Sequence, residues 1–144
     1  MYHIFTLAIH SFVQSGMTLT PWAFGKLLIW DVSIRNTFAA SYAAISRTVG
    51  AVAARAEREK QLHYSPLAND YLVAPFILES SGLWGPDALK ISKTLGKLLE
   101  RATGDKRSLS FLRQRVALEV QRGNARMILE NLPKGRGLDE LLFL

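Results

Sequence analysis

The sequence predicts an α/β domain in which a small mixed sheet of about three strands is flanked by three long helices. Two apolar segments rich in β-branched and aromatic residues, 27–34 and 71–79, indicate buried strands. Three longer segments repeat their apolar residues every three or four positions, which indicates helices. A chain of 144 residues fits one domain and buries roughly two-thirds of its unfolded surface.

The first strand segment, "LLIWDVSI" at 27–34, contains a single carboxylate, Asp31. Strand alternation places two sets of side chains on opposite faces: Leu27, Ile29, Asp31 and Ser33 on one, Leu28, Trp30, Val32 and Ile34 on the other. Burying Asp31 unpaired costs several kcal/mol or more, so we expect a metal ion, a Lys or Arg, or protonation beside it. The alternative is a structural salt bridge or a strand-end carboxylate that reaches solvent, and the strand taken alone favours it.

Upstream of this strand, residues 17–22 alternate apolar and hydroxylated side chains, and Gly25 supplies a turn. The two segments therefore predict a hairpin. Downstream, Asn36 and Thr37 are expected to cap a helix over 38–62. Its apolar stripe, continued by one step of four residues, reaches a lysine; the stripe is Ile45, Val49, Val52, Ala56 and then Lys60.

The second strand segment, "YLVAPFILE" at 71–79, is almost continuously apolar and ends at Glu79. Pro75 interrupts it, which predicts an edge strand, a bulge or a local loss of pairing. Gly85 and Pro86 then start a second helix, which Gly104 ends. The third helix is predicted over 106–129, with Leu109, Leu112, Val116, Val120 and Met127 in the core.

The chain carries a formal charge of +6, and its basic residues concentrate between positions 97 and 126. This excess predicts DNA or RNA as a partner through phosphate contacts, although a solvated surface of salt-bridged helices fits the charge equally well. The candidate phosphate-binding residues lie on the second and third helices: Lys97, Arg101, Arg115, Arg122 and Arg126.

Several function classes lack support in the sequence. The chain contains no cysteine, which excludes disulfides, thiolate zinc sites and cysteine nucleophiles. Glycine-rich phosphate loops and a serine nucleophile elbow are absent. His3 and His10 are a weak metal pair without a third ligand. No apolar run is long enough to span a bilayer, so we expect an intracellular protein, nuclear or cytoplasmic, without membrane contact.

A family resemblance rests on six segments that occur in order between residues 16 and 125. They read "GMTLTPW", "GKLLIWDVSI", "NTFAASY", "AEREKQLHYSPL", "PFILESSGLWGP" and "FLRQRVALEVQRGNA". Together they resemble the C-terminal region of reverse transcriptase proteins encoded by non-LTR retrotransposons. That region is similar to a restriction-endonuclease-like nuclease of the PD-(D/E)xK fold. The resemblance covers roughly three-quarters of the chain and implies a metal-dependent domain that nicks DNA.

The resemblance assigns roles to three residues of the predicted site. Asp31 and Glu79 correspond to metal ligands, and Lys60 takes the part of the lysine that stabilises the transition state. Ser33 stands where simpler nucleases of this fold carry that lysine. His63 replaces a second lysine in a "K..KY"-like pattern that ends at Tyr64. The implied cofactor is Mg²⁺ or Mn²⁺, with no small-molecule cofactor.

One departure from the family pattern concerns the metal site. Ser15 occupies the position of a metal-binding aspartate, and a neutral hydroxyl is a poor ligand for a hard cation. We therefore expect metal binding to be weak or lost and DNA hydrolysis to be impaired. The endonuclease-like domain is assigned to residues 15–130, with an unmatched extension at 1–14 and a tail at 131–144. The alternatives are a non-catalytic nucleic-acid-binding remnant and a relic that keeps its fold without a molecular task.

Overall fold

A computed structural model describes residues 15–131, so the N-terminal extension and all but the first residue of the tail lie outside it. The elements follow in chain order: β1 (Ser15–Met17), β2 (Leu28–Arg35), α1 (Ala51–His63), β3 (Leu72–Glu79), α2 (Pro86–Thr103) and α3 (Ser108–Glu130). Two single-turn 3₁₀ helices lie at Ala40–Tyr42 and Ser65–Leu67. The predicted α/β class, with a three-stranded sheet and three helices, is confirmed.

The sheet is mixed, with strand order β1-β2-β3. β1 runs antiparallel to β2 and places Ser15 opposite Asp31. β3 runs parallel to β2, with Asp31 opposite Pro75 and Arg35 opposite Glu79. This register puts Ser15, Asp31 and Glu79 on one face of the sheet.

The predicted hairpin forms, but its first strand is shorter than the expected 17–22. Thr18 N–H donates to the Leu28 carbonyl at 2.9 Å, whereas Leu28 N–H donates to the Thr18 hydroxyl at 3.0 Å. A side chain thus replaces the backbone acceptor, and regular pairing ends at Met17. The chain reverses through Phe24 and Gly25, which both have positive φ, at 52° and 71°.

Close packing inside the hairpin depends on the absence of a side chain at Gly16. A Cβ atom there would lie 2.3 Å from Cζ2 of Trp30, its partner residue on β2. Trp30 is 3% exposed, so the indole fills the space above β1 and has little room to move. The glycine is therefore required by packing in the sheet.

The first helix starts thirteen residues later than the predicted 38–62, which is a correction to the sequence analysis. Asn36 Oδ1 accepts the Phe38 N–H at 3.0 Å, so it closes a turn and caps no helix. Gly50 lies immediately before α1 and has a φ of 72°, so the backbone there is left-handed and the helix cannot extend further upstream. Val49 is 83% exposed, so the first part of the expected apolar stripe is not core.

The two faces of the sheet pack against different helices. On one face, Phe76 and Leu78 of β3 contact Ala88 of α2 and Val116 and Val120 of α3. On the other face, Ile77 packs against Ala53 and Ala56 of α1. α2 and α3 have almost the predicted bounds, but Met127 is 66% exposed, because α3 extends beyond the sheet there. None of the helices within residues 15–131 combines the length and apolar character that crossing a membrane requires.

Pro75 is accommodated because β3 is an edge strand of the sheet that residues 15–131 form. Leu72 N–H donates to the Leu27 carbonyl and Ser80 N–H to the Arg35 carbonyl, both at 2.9 Å. Backbone amides alternate in direction along a strand, so even-numbered amides face β2 and odd-numbered ones face away. The missing N–H of Pro75 therefore interrupts no hydrogen bond to β2, which confirms one of the three predicted explanations.

Candidate functional site

Asp31 is the centre of the candidate site, and it is 4% exposed. The Lys60 ammonium, near the C-terminal end of α1, forms an ion pair with its Oδ2 atom. The Tyr64 hydroxyl, at the residue that follows α1, donates to the same oxygen at 2.7 Å. The predicted need for a partner is thus met by a lysine and a phenol.

The spacing of Lys60 and Tyr64 explains why both reach one carboxylate. Residues four positions apart lie on the same side of a helical turn, one above the other. The hydrogen bond to Asp31 raises the pKa of Tyr64 above its ordinary value of 10.0, because only the protonated phenol can donate to the carboxylate. Tyr64 therefore stays protonated and holds Oδ2 at physiological pH.

Two serines lie beside Asp31 on the same face of the sheet. Ser15 is its direct partner across the β1–β2 ladder, and Ser33 follows it by two residues on β2. Side chains opposite each other in such a ladder have Cβ atoms about 5 Å apart. A carboxylate at position 15 would therefore lie next to Asp31, whereas the present residue offers one neutral hydroxyl.

Glu79 does not join this group. It shares the face of Asp31, but it pairs with Arg35, four residues further along β2. At roughly 3.3 Å per residue, that offset separates the two positions by about 13 Å along the strands. The expectation that Asp31, Lys60 and Glu79 converge thus holds for the first two residues, and Glu79 lies at the opposite end of α1.

Glu79 instead binds neutral donors in the protein interior. It is 1% exposed, and its carboxylate accepts the Ala53 N–H at 3.1 Å in the first turn of α1. The hydroxyls of Thr37 and Ser81 each donate to its other oxygen at 3.3 Å. An anion at the N-terminus of a helix interacts favourably with the helix dipole, so these contacts describe a structural carboxylate.

A third buried carboxylate, Glu57, was not identified from the sequence. It is 3% exposed and accepts the N–H groups of Asp87 and Ala88 at 3.0–3.2 Å, where it caps the N-terminus of α2. Burial raises the pKa of Glu57 above its usual 4.5, partly offset by these hydrogen bonds. A Cβ at Gly85 would lie 2.1 Å from Glu57 Oε1, so the glycine makes room for the carboxylate.

The donor set around Asp31 does not fit a resident divalent cation. Mg²⁺ is bound through oxygen ligands that have a free lone pair to offer. Asp31 is the one carboxylate of this group, and its Oδ2 atom already accepts hydrogen bonds from Lys60 and Tyr64. Its charge is already balanced by Lys60. Within residues 15–131, no cluster of three His, Cys, Asp or Glu side chains has the geometry of a metal site. The weakened metal binding expected from Ser15 stays a prediction.

The five predicted phosphate-binding residues fall into separate environments. Arg115 and Arg122 both form ion pairs with Glu119, at 3.2 and 2.9 Å. Lys97 and Arg101 line a concave pocket of about 410 Å³ near the end of α2, together with Lys106 from the α2–α3 connection. Arg126 is exposed near the end of α3. Lys106 was not among the predicted phosphate-binding residues, because its position beside α2 depends on the turn at Gly104.

Tyr64 belongs to the candidate site, because its hydroxyl donates to Asp31, but no role was predicted for it from the sequence. Its distance of four residues from Lys60 is visible in the sequence and would have placed it beside Asp31 once the helix end was known.

Comparison of the chain with protein-family profiles, with curated protein sequences and with solved structures finds no match in any of the three.

Proposed function

We propose that this chain is a retroelement-derived endonuclease-like domain whose metal-dependent hydrolysis of DNA is impaired at Ser15. The observation that carries the proposal is the grouping of Ser15, Asp31 and Lys60 on one face of the sheet. These three positions are part of the framework that the family resemblance implies, with a hydroxyl at the position of one anionic ligand. Glu79 has no part in this framework, because it lies at the other end of α1.

The chemistry of phosphodiester hydrolysis explains what is kept and what is missing. The reaction needs anionic ligands for a divalent cation and a positive group near the phosphate, where negative charge builds up in the transition state. Lys60 supplies the positive group, and Tyr64 holds the carboxylate that orients it. Asp31 is the one anionic ligand that this group offers, so the impairment affects binding of the divalent cation. Lys60 is still in place.

The decisive experiment restores the missing carboxylate. Mg²⁺ and Mn²⁺ are titrated by calorimetry into the wild-type chain and into Ser15→Asp, and both proteins are then assayed for nicking of supercoiled plasmid. We expect Ser15→Asp to bind Mn²⁺ at least ~10-fold more tightly than wild type, because two carboxylates then face one position. We also expect nicking above the wild-type rate.

Two control variants separate a restored site from a general effect of charge. Ser110→Asp adds the same charge at an exposed position on α3, which packs on the other face of the sheet. It should leave metal binding unchanged. Ser15→Asp combined with Asp31→Asn keeps the added carboxylate and removes the original one. Equal metal affinity in Ser15→Asp and Ser110→Asp, or equal nicking with and without Asp31, would contradict the proposal.

A second candidate function is nucleic-acid binding without catalysis. The observation in its favour is that Lys97 and Arg101 form no ion pair with any residue between 15 and 131. Unpaired cations on a chain of net charge +6 attract a polyanion and release its counterions. Its test is the affinity for labelled DNA and RNA as a function of salt concentration, which should fall steeply as salt rises.

A further inference from the structure

Four basic side chains of α2, α3 and their connection are already paired with an acidic neighbour. Lys90 lies 3.0 Å from Asp87, and Arg107 lies 3.1 Å from Asp105. Glu119 binds both Arg115 and Arg122. Of the cations that make no ion pair within the part of the chain that the structure describes, three lie together: Lys97, Arg101 and Lys106. The others include Lys93 on α2 and Arg113 on α3.

The three unpaired cations surround one concave surface, which we call the α2–α3 cradle. It is lined by Lys97, Glu100, Arg101, Gly104 and Lys106 and has a volume of about 410 Å³. Lys97 and Arg101 are four residues apart and so lie on one side of α2. Gly104, at φ 74°, ends α2 in the left-handed conformation and turns the chain so that Lys106 comes back beside Arg101.

The acidic groups near the cradle leave its charge positive. Glu100 is the one carboxylate that lines it, against three cations. Asp105, in the same connection, binds the Arg107 guanidinium through both of its oxygens, which lowers the pKa of Asp105 and keeps it in a local pair. The first turn of α3 contains no acidic residue.

We propose that the α2–α3 cradle is the site that contacts the phosphodiester backbone of a nucleic acid. This inference rests on the second proposed function and deepens it, because it selects Lys97, Arg101 and Lys106 over the arginines of α3. Arg115 and Arg122 would have to give up Glu119 to bind a phosphate, whereas the cradle cations give up no ion pair within residues 15–131. An open, positive concavity accepts a continuous chain of phosphates, since contact with each one releases a condensed counterion.

The test compares two variants of identical charge. The cradle variant carries Lys97→Gln, Arg101→Gln and Lys106→Gln. The control variant carries Lys90→Gln, Arg115→Gln and Arg122→Gln, whose basic groups are already paired. Affinity for a fluorescently labelled DNA duplex is measured by anisotropy over a series of salt concentrations. Each phosphate contact contributes about −0.9 to the slope of log K against log salt concentration.

We expect the cradle variant to lose about 2.7 from the magnitude of that slope, at 0.9 for each of three contacts. The control variant should lose less than about 1 on the same scale. Restoring charge at one position, with Arg in place of Gln at residue 106, should recover about 0.9. Circular dichroism checks that each variant is folded. If the triple variant unfolds, Lys106→Gln alone, in a connection between helices, should still lose about 0.9.

The outcomes separate the cradle from the proposals on which it rests. Equal losses in the cradle and control variants overturn the cradle and leave nucleic-acid binding in place. Absence of wild-type binding to DNA and RNA overturns both. Binding to anionic lipid vesicles but not to nucleic acid overturns the choice of ligand. None of these results bears on the metal titration of Ser15→Asp, which tests the nuclease proposal separately.

Discussion

The two ends of α1 each meet a buried carboxylate on the same face of the sheet, and the two carboxylates are stabilised in different ways. At the N-terminal end, Glu79 is enclosed by one backbone amide and two hydroxyls. At the C-terminal end, Asp31 is paired with the Lys60 ammonium, whose side chain is 21% exposed. The Glu79 carboxylate forms no ion pair with a residue between 15 and 131, whereas the Asp31 carboxylate is paired with a cation that solvent can reach.

This difference separates a carboxylate enclosed by neutral donors from one that lies beside a cation which solvent can reach. A carboxylate held by fixed neutral donors stabilises a local structure and has no group to offer a substrate. A carboxylate paired with a partly exposed lysine keeps a positive group that a phosphate can approach. Both residues terminate or interrupt an apolar strand in the sequence, so their patterns alone do not distinguish them.

The largest expected effect is on stability, at the N-terminal end of α1, where Glu79 lies. Replacing Glu79 by Ala leaves the buried Ala53 amide without its acceptor, and it also removes the acceptor of the half-buried Thr37 hydroxyl and the exposed Ser81 hydroxyl. We expect the free energy of unfolding to fall by about 3 kcal/mol, measured by urea denaturation. In the Ser15→Asp background, a Glu79→Gln variant that remains folded should keep its metal affinity. A loss of metal affinity there would mean that Glu79 does act with Asp31.

At the C-terminal end of α1, removing the Lys60 cation should lower the free energy of unfolding by a smaller amount. Lys60→Met leaves Asp31 buried with Tyr64 as its remaining donor, and we expect a loss of about 2 kcal/mol, because a solvent path to Lys60 limits the penalty. The double variant Asp31→Leu with Lys60→Met should recover most of that loss, since an apolar pair replaces an ionic one. If the double variant is less stable than Lys60→Met, the ion pair is not the dominant interaction.

Between the two ends, Glu57 offers a pH-dependent effect. Its pKa is raised in the folded chain, so the folded state binds the proton more tightly than the unfolded state does. The stability that this proton contributes is fully present below the unfolded value near 4.5 and is lost as pH rises through the folded pKa. Glu57→Gln should therefore reduce the fall in unfolding free energy between pH 4.5 and neutral pH, measured by urea denaturation across that range.

The control for that measurement is Glu59→Gln, an exposed position on the same helix whose carboxylate pairs with Arg55. It should retain the pH dependence of the wild-type chain. A variant of Glu57 with an unchanged pH dependence would show that another group produces it.

The smallest expected effect concerns Tyr64. Replacing it by Phe removes one donor from an oxygen that keeps Lys60, and we expect a loss of less than about 1 kcal/mol. The direct readout is the phenol itself: its pKa, measured by absorbance as the difference between wild type and Tyr64→Phe, should lie above 10.0. In Asp31→Asn, the pKa of Tyr64 should move back towards 10.0, and no change would contradict the hydrogen bond.

Local sequence patterns predicted the helices and strands whose ends are clearly marked in the sequence. α2 lies between Pro86 and Gly104, because proline is favoured in the first turn of a helix and glycine readily adopts the left-handed conformation that ends one. β3 has almost the bounds expected from its continuous apolar run. Asp31 needed a partner on energetic grounds alone, and the stripe that reached Lys60 predicted an inward-facing lysine. The sequence left open whether that lysine was the partner, and the structure shows the ion pair. The start of α1 was wrong because an apolar spacing does not reveal that Gly50 adopts a positive φ.

What the sequence by itself determined about this chain is the class of fold and the need of the buried acid at Asp31 for a partner, since burial energy and hydrophobic patterning act within short segments. Only the tertiary structure decided where Glu79 lies, because its distance from Asp31 depends on the register of two parallel strands that the sequence does not encode locally. The same holds for Glu57 beneath α2 and for Lys106 beside Arg101. Each of these contacts joins elements whose relative placement is set by packing over the whole core.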